Sequence, residues 1–140
     1  MALSFTKFYC FELDRLLKKH DFDNDTFKWL FLGAAAVVTN SVKADLTEIT
    51  PAGGYSAGGI TQTIGTVSQT LGLATCAATS PSITASGANI GPVYGVALYN
   101  DTYAGDPLCW FNNFPYPITI LNGVTFPVTF DETNGLYYIS

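Results

Sequence analysis

Between Ser4 and Lys19 the apolar side chains Phe5, Phe8, Tyr9, Leu13, Leu16 and Leu17 recur with charged residues between them, the 3.6-residue period of an amphipathic helix. A helix is therefore predicted over 4–19. Ser4 can cap its start, and Lys18, Lys19 and His20 fall in its last turn, where the helix dipole favours cations. After the acidic stretch Asp21–Asp25, the segment Thr26-Phe-Lys-Trp-Leu-Phe-Leu32 alternates Phe27, Trp29 and Phe31 with Lys28 and Leu30. A period of two with aromatic enrichment predicts a strand, ended by Gly33 and the alanines after it. Residues 39–59, with Pro51 and glycines 53, 54, 58 and 59, read as an irregular Gly-rich connection. From Ile60 onward the pattern predicts strands over 60–71, 73–79, 93–99, 107–112, 117–121, 124–130 and 136–139. Asn100-Asp101, Asn122-Gly123 and Asn134-Gly135 supply turn chemistry between them. Asn122-Gly123, between Ile118-Thr-Ile-Leu121 and Val124-Thr-Phe126, predicts a β-hairpin closed by a type I′ turn. The expected fold is mainly β: an antiparallel β-sandwich or flattened barrel with one N-terminal amphipathic α-helix. At 140 residues the chain is expected to form a single domain, 1–140.

Charge changes this picture. All six basic residues, Lys7, Arg15, Lys18, Lys19, Lys28 and Lys43, precede residue 44, and His20 is the sole histidine. The β-rich region 60–140 therefore has no usual general base, no cationic phosphate anchor and no nitrogen ligand for a metal. With a net charge of −5 and no basic stripe, the chain is a poor candidate for nucleic-acid binding, which draws on phosphate neutralisation by Lys and Arg. Only 12% of residues are charged while 48% are hydrophobic. That is too little charge to cover a large solvated surface, so another chain is expected to cover part of it. Cys10, Cys76 and Cys109 form an odd set without a CxxC pair, so buried reduced thiols are expected rather than a disulfide framework or a thiolate metal site. Glu12 and Asp14 stand where a signal peptide would need its apolar core. The longest apolar run, Leu30–Val38, is about half a membrane span. Assembly in a reducing cytosol is the expectation, with no membrane partner.

Four motifs carry candidate chemistry. Gly54-Tyr-Ser-Ala-Gly58 has the G-x-S-x-G spacing of a hydrolase nucleophile elbow, but no histidine follows Ser56 to act as base and the segment after it is β-patterned. A glycine-rich loop beside a strand accounts for it better. Asp21-Phe-Asp-Asn-Asp25 places oxygens at positions 1, 3 and 5 of a calcium loop. Thr26 and Leu32 occupy the places that need Gly and Glu, so an acidic helix-to-strand turn is expected. Asn24-Asp-Thr26 and Asn100-Asp-Thr102 fit the N-glycosylation pattern, and both read as turns whose side chains bond nearby backbone. Trp29, Trp110 and the Tyr and Phe residues could form a sugar-stacking platform, although their strand periodicity favours core or interface packing. No catalytic residue, cofactor or metal is expected.

Read together, several segments follow an order and spacing found across a widespread group. They are Asp23-Asn-Asp-Thr-Phe-Lys28, Leu46-Thr-Glu-Ile49, Gly54-Tyr-Ser-Ala-Gly-Gly59, Val96-Ala-Leu-Tyr-Asn-Asp101, Asn122-Gly-Val-Thr-Phe126 and Phe130-Asp-Glu-Thr-Asn-Gly-Leu136. In this the chain resembles small tailed-phage virion proteins. The resemblance implies a structural role in the virion, capsid decoration or cementing above all. Its implied partners are the major capsid protein or other virion structural proteins, in a homo-oligomer at the capsid surface assembled in the host cytoplasm. A tail, connector or baseplate component and a carbohydrate- or receptor-binding module are the alternatives. The first suspects for the partner surface are exposed side chains in Leu30–Val38 or the 39–59 connection.

Overall fold

The computed structural model describes residues 3–130 and 135–139. Its strands are β1 (Thr6–Lys7), β2 (Phe27–Leu32), β3 (Ile60–Thr70), β4 (Leu73–Thr79), β5 (Ser82–Thr84), β6 (Ile90–Asn100), β7 (Leu108–Ile120), β8 (Thr125–Pro127) and β9 (Tyr137–Ile139), and α1 (Cys10–Leu16) is a short N-terminal helix. The fold is mainly β and antiparallel. Seven strands form one sheet in the order β1-β7-β6-β2-β3-β4-β9, and β5 pairs with β8 in a second, two-stranded sheet. The large sheet curls until its edges face each other. Phe5, Lys7 and Trp110 on one side and Leu136 and Tyr137 on the other line a shared cleft, and the rings of Trp110 and Tyr137 stack at 5.6 Å across it.

The alternation in β2 covers both faces of the sheet at its centre. Phe27, Trp29 and Phe31 point inward to a core shared with Phe11, Ile49, Tyr55, Val93, Val96, Leu98, Trp110 and Ile120. Leu30 and Leu32 point to the other face, into a smaller cluster with Phe8, Ala36, Ala97, Tyr99, Leu108 and Phe111. With both faces covered, β2 is an interior strand. It pairs with β6 from Phe27↔Asn100 to Leu32↔Gly95 and with β3 from Phe27↔Gln62 to Trp29↔Ile60.

Several expectations need correction. The helix is seven residues long rather than spanning 4–19: the chain enters through β1, Tyr9 takes the N-cap position, and Ser4 caps nothing. The strands expected at 107–112 and 117–121 are one, β7, which passes through Pro115 and Pro117. Both prolines fall in the register shift between the partners Gly95↔Asn113 and Val93↔Ile118, where the ladder to β6 is interrupted and proline costs no hydrogen bond of the sheet. Asn122-Gly123 does make a turn, with Val124 N–H donating to Leu121 C=O at 2.9 Å. However, only Gly123 has positive φ, 89°, whereas type I′ needs it at both central residues. No hairpin follows, because β8 leaves β7 and pairs with β5. The strand expected over 124–130 shortens to β8, and β5 carries no alternating signal in the sequence. Asn134 of the expected Asn134-Gly135 turn lies outside the described residues. The 39–59 connection is irregular apart from one 3-10 turn at Lys43–Asp45.

Candidate functional site

His20 is not a helix-end residue. The chain leaves α1 through Lys18, whose φ is 62°, and buries the imidazole among the rings of Phe11, Phe27 and Phe22 at 5.3, 6.0 and 6.2 Å. Its Nδ1 lies 3.5 Å from Asn100 Nδ2 and 3.9 Å from Cys109 Sγ. The folded chain thus brings together a thiol, an imidazole and an amide whose sequence positions gave no hint of proximity. Their environment makes this a structural seam. Burial pushes the fully enclosed Cys109 thiol up and the His20 imidazole down, so both are held neutral. Asn100, also fully buried, donates to Asp25 Oδ2 at 2.7 Å and to Lys19 C=O at 3.0 Å, and accepts from Thr102 N–H at 2.8 Å. It fastens the segment after the helix to the β6–β7 turn.

The motif residues are accounted for by similar clips. Ser56 is exposed, while its neighbour Tyr55 is buried. Tyr55 Oη accepts from Phe31 N–H at 3.0 Å and donates to Glu48 Oε1 at 2.8 Å, and the same carboxylate oxygen accepts from Gly58 N–H at 2.8 Å. Burial pushes the Tyr55 phenol up, keeping it a donor. The loop closes on Gly59, whose φ is 93° and where a Cβ would stand 2.0 Å from Trp29 O. The glycines therefore hold a loop against a strand. In Asp21–Asp25 the carboxylates of Asp21 and Asp25 are already engaged: Asp21 Oδ1 accepts from the backbone of Asp23 and Asn24, and Asp25 Oδ2 from Asp21 N–H and Asn100. Asn24 Nδ2 donates to Asp21 at 2.9 Å. Among the described residues no group of three or more His, Cys, Asp or Glu is placed to hold a metal ion. Trp29 and Trp110 are both core residues, so neither offers an exposed stacking platform.

The unusual features lie on the outside. Compared with protein-family models, with curated proteins and with solved structures, the chain matches none. The surface itself must therefore supply the functional argument. Helix α1 buries Phe11 and Asp14 and turns the expected apolar face outward: Tyr9, Leu13, Leu16 and Leu17 are 75, 59, 73 and 55% exposed. Spacings of three and four residues place them on one side of the helix. Asp14, on the inner face, is paired with Lys19 at 3.1 Å. Of the suspected run Leu30–Val38, Leu30, Phe31 and Leu32 are core while Ala34, Ala35 and Val37 are exposed. Tyr9 N–H donates to Val38 C=O at 2.9 Å, which sets the start of the helix beside that stretch. Two further features stand apart from this patch. The tip of the β3–β4 hairpin carries a fully exposed Leu71, and an apolar groove of about 350 Å³ opens beside the second half of β7. No helix among the described residues is long and apolar enough to cross a membrane.

Proposed function

We propose that this protein is a structural component of a tailed-phage virion, a capsid decoration protein that docks in many copies on the assembled head lattice. The observation that carries this reading is the outward apolar face of α1. Four large side chains of a soluble domain stand in water on one helix face, while a charged residue of the same helix is turned inward and paired. Exposed apolar patches of this kind mark surfaces that another chain covers, and interface cores are depleted in charge. The resemblance in motif order supplies the class of partner, the major capsid protein. Binding the assembled shell and not its free subunits stabilises the shell by mass action, which is the work of a cement protein and requires no catalysis.

The test is copy number in purified particles, by quantitative mass spectrometry against the major capsid protein. Copies comparable in number to that protein support decoration. A few copies per particle move the protein to the tail, connector or baseplate, and absence from particles refutes the structural reading.

A further inference from the structure

The β3–β4 hairpin ends in a two-residue loop, Leu71-Gly72, between the paired Thr70 and Leu73. Both loop residues have positive φ, 51° and 85°, the type I′ geometry that Asn and Gly adopt readily and leucine does not. Leu71 is completely exposed, and every residue from 65 to 72 is exposed as well, so the outer hairpin projects from the body. An apolar knob thus sits in a backbone conformation that disfavours it, with no contact in its own chain to compensate. A strained, fully exposed side chain is explained by what it meets elsewhere.

A matching hole lies at the other end of the same molecule. The groove of about 350 Å³ is lined by Leu3, Phe114, Pro115, Tyr116, Ile118 and Phe126 among others, which is room for a leucyl side chain and the turn that carries it. Register fixes the relative positions. Ile60, Trp29, Leu98 and Trp110 form one row across the sheet. From that row β3 runs out to the tip in one direction, and the antiparallel order sends β7 toward Phe114 and Ile118 in the opposite one. Knob and hole share one further property: no charged residue occurs between Glu48 and Asp101 or between Asp106 and Asp131, so neither surface opposes the other.

We propose that Leu71 of one copy inserts into the Phe114–Ile118/Phe126 groove of a second copy of this chain. The interface is heterologous, knob to hole, and it joins copies head to tail, closing into a ring or continuing as a row according to the rotation at each step. This inference is independent of the virion role: self-association would hold even if the protein were absent from particles.

Sedimentation velocity of the purified full-length chain over a wide concentration range tests it, using two variants. Leu71→Asn removes the knob and suits the turn, so folding is not impaired. Tyr116→Lys, at an exposed position, places a charge at the rim of the groove. The wild type is expected to associate with concentration, and each variant alone to weaken association by about ten- to a hundredfold, the worth of one buried leucine. An equal mixture is expected to stop at the dimer, because the knob of one variant meets the intact groove of the other. A wild type that stays monomeric at the highest concentration overturns the proposal. So does a Leu71→Asn protein that associates as the wild type does, or a mixture of two folded variants that fails to pair.

Discussion

Replacing Gln62 with leucine removes one buried side chain that joins three strands. In β3, Gln62 accepts from Trp29 Nε1–H at 2.7 Å and donates to the carbonyls of Thr63 and Thr79 at 2.8 Å each, which uses one carbonyl lone pair and both amide protons. The bonds sit beside the irregularity between Ile64 and Val67, where the regular ladder to β4 is interrupted. Leucine is close in size but can satisfy none of these groups. The indole N–H is left buried without a partner at a cost of about 1–3 kcal/mol, and the loss of the two carbonyl bonds adds about 1 kcal/mol. A destabilisation of about 3 kcal/mol follows. With an unfolding entropy of about 2.1 cal/mol/K per residue over 140 residues, this lowers Tm by about 10 °C. Thermal unfolding followed by circular dichroism measures it, with Trp29→Phe and the double variant completing a cycle. If the Trp29–Gln62 bond matters as described, the double variant recovers about 1–2 kcal/mol relative to the sum of the single changes. A Gln62→Leu protein within about 0.5 kcal/mol of the wild type would refute the reasoning.

Three further outcomes are expected. His20 has its pKa lowered by burial, so the unfolded chain takes up the proton first and stability falls as pH drops below about 6.5, by at most about 1.4 kcal/mol per pH unit. Urea midpoints between pH 7 and 5.5 should show that slope in the wild type and a smaller one in His20→Asn. Gly59→Ala must move Trp29 O and adopt a φ of 93°, and should cost more than about 2 kcal/mol, measured by denaturant unfolding. Leu13→Asp and Leu17→Asp lie on the outward helix face, so each should change stability by less than about 0.5 kcal/mol. A larger loss would mean that this face packs against the chain's own body.

The mainly β fold was legible because its signals are local. Alternation over 26–32 and the runs read at 60–71 and 73–79 placed β2, β3 and β4 to within a residue or so, although Leu71 belongs to the turn and not to the strand. Local signals also explain the failures. Asn122-Gly123 specifies a turn but not the partner of the strand after it, and Ala85, whose C=O accepts from Gly123 N–H at 2.7 Å, draws β8 to β5. Ser82–Thr84 is too short to show a period. Of the face expected over 4–19, Tyr9, Leu13, Leu16 and Leu17 do share one side of the helix, but Phe5 and Phe8 precede it and Phe8 is core, and spacing alone does not say which face is buried. Phe11 decided it by packing against Trp110, Phe22 and Tyr137. The meeting of His20, Asn100 and Cys109 could not be read at all, because it depends on where β6 and β7 bring distant residues.

The environment of the three thiols makes the protein convenient to modify. Burial raises Cys10 and Cys76 to about 11 and also pushes the fully enclosed Cys109 up, so Cys10 and Cys76 expose about a hundredfold less thiolate at neutral pH than an ordinary cysteine. Maleimides should therefore pass over the native chain, and a cysteine introduced on its surface would react almost alone. The molecule thus comes with a quiet chemical background, suited to placing one dye or spin label at a chosen position without first removing its own cysteines.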